Sequence, residues 1–594
     1  MYKTIKRVIA VFAAIMVSVA AFAQVTTSSM NGKVADTKGE SIPGATVVAV
    51  HTPSGTQYYA VTNNEGRYYI NGMRAGGPYT VEISCLGYQS LTYTDVTLQL
   101  AEPFALNASL SDDTLTLNEA IVISSATSKF AAVEKTGAAT NISSAQLTSL
   151  PTVTRNISDV TSLSPYGGGG MSFAGADGST ANFTVDGASF NNNFGLNAKL
   201  PGGGSPISLD AIEEVQVVIS PYDVRQTDFV GGGVNAITKS GTNTFKGTAY
   251  VYHKNENLRG DTVDGEQITG ARAIDRNTVY GATFGGPIIK NKLFFFTNVE
   301  YTITPTVANR WRGSVDGVAN ANDYVSRTKL SDLEEVSNAV KTIYGYETGS
   351  WTAFPADESN TKILARLDWN INDVHKLAVR YNYTLNKAWN APNGTSMDGG
   401  TRMSGNRTSQ YSMSFANSMY SQDNLVHSVS IDLNSRFSNN LSNQFLATYS
   451  KLDDVRGTNS SEFPFIDILK DDQNYMALGY ELFTYMNAVH NTVWNVKDDL
   501  TYYNGNHKLT AGVSFEHMLA DNIYMRNGTG YYRFNSLQDF YDNIGWDPIS
   551  HRQITPIGAA PQVFAFDYAY ESNPDAAARV QYNKLGLYVQ DEWQ

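Results

Sequence analysis

From residue 244 to the last residue the chain alternates. Ile363, Ala365, Leu367 and Trp369 are separated by Leu364, Arg366, Asp368 and Asn370. After a turn at Asn372-Asp373 the rhythm returns in Leu377, Val379, Tyr381, Tyr383 and Leu385. A period of two marks strands with one apolar and one polar face. The unit recurs as Val429, Ile431 and Leu433, a turn at Ser438-Asn439-Asn440, then Phe445, Ala447 and Tyr449. It recurs again across Asn504-Gly505-Asn506, before Leu509, Ala511, Val513 and Phe515. Long polar segments such as 387–424 and 453–491 lie between these hairpins. Apolar residues facing lipid, a polar lumen, tight turns at one rim and long loops at the other are the pattern of a transmembrane antiparallel β-barrel. Residues 244–594 therefore read as barrel wall, with roughly ten strands.

Ahead of the wall the pattern changes. Residues 24–110 carry short strands between turn signals at Asp36-Thr37-Lys38-Gly39, Pro53-Ser54-Gly55, Asn63-Asn64-Glu65-Gly66 and Gly76-Gly77-Pro78, which predicts a small β-sandwich. Residues 111–128 form a linker that carries the apolar run Leu117-Asn118-Glu119-Ala120-Ile121-Val122-Ile123, either an ordinary strand of the next unit or an exposed strand that pairs with a partner's sheet edge, and 129–243 form an α+β unit. In the stretch Asp210–Thr244, Ile212, Val215, Val217 and Ile219 predict a half-buried strand that Pro221 ends. A polar excursion with Arg225 and Asp228 follows, and Gly231-Gly232-Gly233 opens a second strand. Three glycines weaken a strand unless another backbone comes very close, and this stretch is read as the joint between the α+β unit and the wall. Arg225 and Asp228 are candidates to pair with charged wall residues such as Arg366 or Asp368; a surface turn is the alternative.

Composition narrows the class. Of 594 residues 17% are charged and 11% aromatic, with 35 tyrosines, and the net charge is −13. A phosphate backbone needs clustered Lys and Arg, so no nucleic-acid partner is expected. One cysteine, Cys85, permits no internal disulfide and no cysteine-built zinc site. Lys3, Lys6 and Arg7, an apolar run and Ala21-Phe22-Ala23 read as a signal peptide (residues 1–23) cleaved between Ala23 and Gln24. No other run of about eighteen apolar residues occurs, so a spanning chain would cross with strands.

Several motifs resemble known families. The order Gly44-Ala45, Glu65-Gly66-Arg67-Tyr68 and Gly87-Tyr88 resembles the carboxypeptidase-regulatory-like domain, a transthyretin-like or carbohydrate-binding-like sandwich. That domain is read as a spacer or, alternatively, a sugar-binding module. The Leu117–Ile123 run, placed just before an α+β unit, resembles the TonB box of TonB-dependent outer-membrane transporters. Residues 142–157 and Asn182-Phe183-Thr184-Val185-Asp186-Gly187-Ala188 resemble their plug domain. Ile219–Gln226, Gly231–Gly241 and Gly285–Phe296 resemble the Oar-like branch of these receptors. The plug wording differs from the SusC-like branch, so a surface lipoprotein partner stays open.

The resemblance implies energy-coupled uptake of a saccharide, peptide or chelate across the outer membrane of a Gram-negative bacterium. It implies TonB, with its ExbB/ExbD motor, as periplasmic partner of a periplasmic N-terminal domain, an extracellular ligand, and a surrounding of lipid and lipopolysaccharide. The alternative is a non-transporting surface receptor or adhesion protein. Residues 585–594 read as a strand cut off before its turn, and a lumen around a folded plug needs about 22 strands. The expected fold is therefore mainly β: sandwich, plug and the N-terminal part of a longer barrel.

Catalysis is not expected, and no cofactor or metal is. His253-Lys254-Asn255-Glu256 has the spacing of two zinc ligands but lacks an identifiable third. The glycine-rich loops 167–170 and 202–204 lack the Gly-Lys-Ser/Thr of a phosphate cradle; they are read as mobile loops facing a ligand path, or as plain flexible loops.

Overall fold

The computed structural model describes residues 25–112, 121–124, 131–133, 137–149, 155–168, 171–191, 200–201, 203–227, 230–267, 275–352, 356–394 and 407–593. The expected cleavage site Ala23-Gln24, the residues Leu117, Asn118, Glu119 and Ala120, and Asp228 lie outside them.

The N-terminal unit is a sandwich of two sheets. Its strands are β1 (Ser28–Asp36), β2 (Thr46–His51), β3 (Thr56–Val61), β4 (Arg67–Met73), β5 (Gly76–Ser84), β6 (Leu91–Leu98), β7 (Pro103–Leu106) and β8 (Ala108–Leu110). Two short strands from the linker join them: β9 (Ile121–Ser124) and β10 (Ala131–Val133). One sheet runs β3-β2-β5-β6-β9, the other β10-β7-β1-β4 with β8 also on β1. Alternate residues point inward, so Val34, Val47, Tyr68, Val81, Tyr93 and Leu106 make one core. The Tyr68 hydroxyl donates to the Leu106 carbonyl at 2.8 Å, which satisfies its one polar atom in that core. The Asn63–Gly66 turn forms as its residues demand: Asn63 Oδ1 accepts from the Glu65 and Arg67 amides, and Gly66 takes φ of +72°. Cys85 follows β5 and packs against this core.

The middle unit is a mixed sheet, β11-β14-β15-β12-β13, built from β11 (Gly137–Ser143), β12 (Asn182–Val185), β13 (Ala188–Ser189), β14 (Ile212–Pro221) and β15 (Gly233–Thr238). Two short helices, α1 (Ser144–Ser149) and α2 (Ile157–Thr161), accompany it, the second started by a capping box of Asn156 and Asp159. Asp186 and Gly187 hold φ of 50° and 80°, giving the two-residue β12–β13 turn that Asp-Gly favours.

The wall is one antiparallel sheet of ten strands in chain order: β16 (Lys246–Lys254), β17 (Asn277–Ile289), β18 (Leu293–Thr304), β19 (Glu358–Asn370), β20 (His375–Asn390), β21 (Tyr420–Arg436), β22 (Leu441–Gly457), β23 (Ala488–Asn504), β24 (His507–Ile523) and β25 (Ala577–Trp593). Four connections are short turns and five are long loops. Leu367, Trp494 and Leu587 face outward, while Arg366, Arg380, Asp432 and Lys497 are buried on the inner face. The strands run further into the polar segments than the apolar pattern indicates. Asp454, for example, lies on β22 with its side chain on the inner face, where a polar residue is at home.

Described parts of four of the five long loops come together. They build a domain of their own above the wall, with a five-stranded sheet (Met413–Ser414, Gln473–Leu478, Phe465–Lys470, Tyr531–Phe534, Val563–Ala565) and helices α3 (Leu330–Tyr344) and α4 (Leu537–Ile544). Val336, Phe415, Ile468, Phe540 and Trp546 share its core. Arg407 and Asp467 pair at 2.7 Å inside it, with Tyr531 donating to the same carboxylate at 2.8 Å.

Candidate functional site

The β12–β13 turn carries the residue on which the interior converges. Asp186 accepts from the Thr238 amide at 3.0 Å and hydroxyl at 2.7 Å, tying the turn to the end of β15. From the wall, Arg380 of β20 approaches the same carboxylate at 3.3 Å and Arg366 of β19 at 3.9 Å. Arg366 also grips Asp368 at 2.8 Å and donates to the Thr238 carbonyl, and Arg380 reaches Asp432 at 3.4 Å. Ser430 of β21 donates to the Asp186 carbonyl at 2.9 Å. The sandwich completes the cluster: Arg74 stands 3.7 Å from Asp368, and Thr26 donates to Asp432 at 2.5 Å. Three arginines thus meet three aspartates where three units join. Buried charge is tolerated only when paired in this way. Beside the cluster lies a cavity of about 350 Å³, lined by Arg74, Lys239, Arg366, Lys376 and Arg380 among others.

A second set of contacts pins the middle unit toward the long-loop end. Lys362 of β19 donates to Ser205 and pairs with Glu300 of β18, both at 2.9 Å, and Ser208 donates to Glu300 at 2.7 Å. Arg155 pairs with Asp210 and lies 3.9 Å over the Tyr252 ring. Thr384 donates to the Pro206 carbonyl at 2.7 Å, and a Cβ on Gly203 would stand 2.7 Å from Asn386. The described part of the 202–204 loop therefore lies against the wall. Apolar contact reinforces both clusters, because Phe296, Leu364, Val426 and Leu452 of the wall share one core with Phe183, Val215 and Val234 of the middle unit.

The joint differs from the expectation in its partners. Arg225 does not reach Arg366 or Asp368; it turns back on Asp223 at 2.6 Å, because the excursion after β14 folds toward β25, where Gln590 accepts from the Val224 amide at 2.8 Å. Burial opposes the Asp223 carboxylate, but the Arg225 guanidinium overrides it and holds the carboxyl well below the usual range. Gly231 and Gly232 make room for their own unit: a Cβ on the first would meet Ala176 at 2.5 Å and on the second Phe173 at 2.6 Å. Gly233 opens β15.

Of the Leu117–Ile123 run, Ile121, Val122 and Ile123 are described. They form most of β9, an edge strand that pairs in parallel with Leu91, Thr92 and Tyr93 of β6. His253 bonds to Thr278 at 2.8 Å and Glu256 pairs with Arg276 at 2.6 Å. Sequence reasoning missed Asp186, Arg380 and Arg74 as a set. The Asp-Gly turn was readable, but its partners are far away along the chain.

Residues 237–594 match the family model described as outer membrane beta barrel domain, and 29–111 match the carboxypeptidase regulatory-like domain. The chain is 25% identical over 394 residues to the TonB-dependent transporter Oar of Myxococcus xanthus, an alignment covering 63% of this chain and 35% of that protein. It thus spans about a third of the length of this relative. Its fold is similar to the outer membrane transporter YddB from Escherichia coli, with a TM-score of 0.51 and 12% identity over 77% of this chain and 55% of that one.

Proposed function

The chain belongs to the outer membrane beta barrel family, and from that premise we propose that it is the receptor and conduit part of a TonB-dependent transporter. In this reading the middle unit is the plug of the lumen, the long-loop domain faces outside the cell, and the sandwich hangs in the periplasm. An extracellular ligand (saccharide, peptide or chelate) binds at the outer end. TonB, driven by ExbB/ExbD, pulls from the inner one.

The observation that carries the reading is the state of Ile121–Ile123. Their backbone is held at the edge of a sheet, paired in parallel with β6 alone. A strand stored this way exchanges its main-chain hydrogen bonds for those of a partner's sheet edge at little cost, which is how strand addition recruits a partner. Ligand binding then has to shift the balance between a stored and an offered strand. The test is deletion of Leu117–Ile123 in a full-length protein. Uptake across the outer membrane should fall to background while binding of the ligand at the cell surface persists; unchanged uptake would sink the assignment.

A further inference from the structure

The two units joined to the wall are held in different ways. The middle unit shares an apolar core with the wall, and pulling it out would expose that surface to water. The sandwich keeps its core to itself. Its one apolar cluster shared with the middle unit, among the described residues, is small: Ala75, Leu100 and Ile237 with Ala101.

What seats the sandwich is polar and aromatic, and it meets all four short turns of the wall. At the β17–β18 turn, Gly55 lies so close to Asn291 that a side chain there would collide, and next to it the Pro53 carbonyl accepts from the Asn243 amide at 2.8 Å. At β19–β20, Asn370 donates to Thr56 at 3.0 Å and the Lys376 ammonium lies 4.6 Å from the Tyr58 ring centre. At β21–β22, Asn71 donates to Ser442 at 2.9 Å and Arg436 lies 4.9 Å over Tyr59. At β23–β24, Tyr69 and Tyr503 stack at 4.0 Å and 15°, Tyr503 donates to Asn71 at 2.6 Å, and Tyr69 donates to the Gly505 carbonyl at 3.2 Å.

Side-chain hydrogen bonds of this kind are nearly matched by water when broken. Cation–ring contacts add attraction at two of the turns. At the four turns the seat is specific in position and weaker than a shared apolar core, and its costlier links are the buried ones, Arg74 to Asp368 and Thr26 to Asp432. The linker is attached to the body that can leave, since β9 lies on β6 and β10 on β7.

We propose that the four short turns are a docking seat for the chain's own N-terminal sandwich, which acts as a detachable shutter over the inner mouth while the middle unit stays in the lumen. Arg74 is its bolt, reaching Asp368 on the wall and donating to Ser240 on the tether at 2.9 Å. The proposal rests on the conduit reading above, but its physical content, a sandwich that leaves before the middle unit, is independent of what drives it.

The experiment uses the full-length chain with Cys85→Ser as background, in native outer membranes. The pair Asn71→Cys/Ser442→Cys should oxidise to an intramolecular disulfide. The single Asn71→Cys should react with N-ethylmaleimide at least tenfold faster than Ser430→Cys, which sits between the middle unit and the wall. The fraction blocked is read by back-labelling with maleimide-polyethylene glycol after denaturation. Failure of the disulfide would show that the sandwich is not seated on these turns. Equal, slow labelling of both thiols would show that it is as fixed as the middle unit. Either result overturns the shutter. In cells, collapse of the proton gradient by a protonophore should slow Asn71→Cys labelling several-fold. A rate indifferent to the gradient removes the energy-coupled reading and leaves the shutter standing on its thiol ratio.

Discussion

At the scale of single residues, Asp186 shows what is and is not legible in a sequence. The Asp186-Gly187 turn follows from local chemistry, because a two-residue hairpin needs positive φ and this pair supplies it. Its second role does not follow, since Arg366 and Arg380 are far along the chain and an alternating strand says only that they face the lumen. Arg225 was as readable a lumen cation, and the path of the backbone after β14 turns it to Asp223. Replacing Asp186 by Asn keeps the turn but leaves Arg366, Arg380 and Arg74 facing two carboxylates instead of three. Breaking a buried pair by removing one partner costs about 3–5 kcal/mol. The remaining partners, Asp368 and Asp432, should bring the cost to the lower part of that range. The check is denaturant-induced release of the middle unit from the wall in detergent. Adding Arg380→Gln to Asp186→Asn should recover part of the loss, and strictly additive losses would deny that the two side chains interact.

Among the elements, the wall strands were the most readable, because lipid on one side and a polar lumen on the other impose the period of two on every strand. The long-loop domain was the least readable. Its strands are two to six residues long and come from three different loops, so none carries enough alternation to stand out, and its core forms only when the loops meet. β9 lies between these extremes: an apolar run was visible, its place on the edge of β6 was not. That placement can be tested by proline, which cannot donate to a ladder. Successive amides of a strand point to opposite edges, so of Ile121→Pro and Val122→Pro one must strike the bonds to β6 and the other must not. The damaging variant should lose about 1 kcal/mol of strand attachment and become several-fold more sensitive to protease in the linker. Equal sensitivity of the two variants and the parent would mean that β9 is not held there.

For the whole molecule, the question is which body yields first when conditions change, and acid gives an answer. His51 sits on β2 near the charged cavity, its Nδ1 2.7 Å from the Ser54 hydroxyl. Burial, with the Arg74 guanidinium adding to it, holds the imidazole down to about 3. The folded sandwich thus keeps His51 neutral, while the unfolded chain takes up a proton near pH 6.5. The stability this group allows is complete above pH 6.5 and is lost progressively as pH falls toward 3. Glu214, where the middle unit meets the sandwich, works the other way. Burial pushes its carboxyl up to about 7, so its ionisation costs stability as pH rises from about 4.5 to about 7. A comparison of parent with His51→Gln cancels the Glu214 contribution, which both carry. Between pH 7 and pH 5 the parent sandwich should lose about 2 kcal/mol more than the variant, seen as a downward shift of its unfolding transition in full-length protein. The transition of the middle unit and wall, joined through Phe296, Leu364 and the Asp186 cluster, should not move with it. Equal acid sensitivity of parent and variant would place the titrating group elsewhere. A single transition in which all three units unfold together would mean that the sandwich has no independence from the wall, and the order of release argued from its polar seat would fail with it.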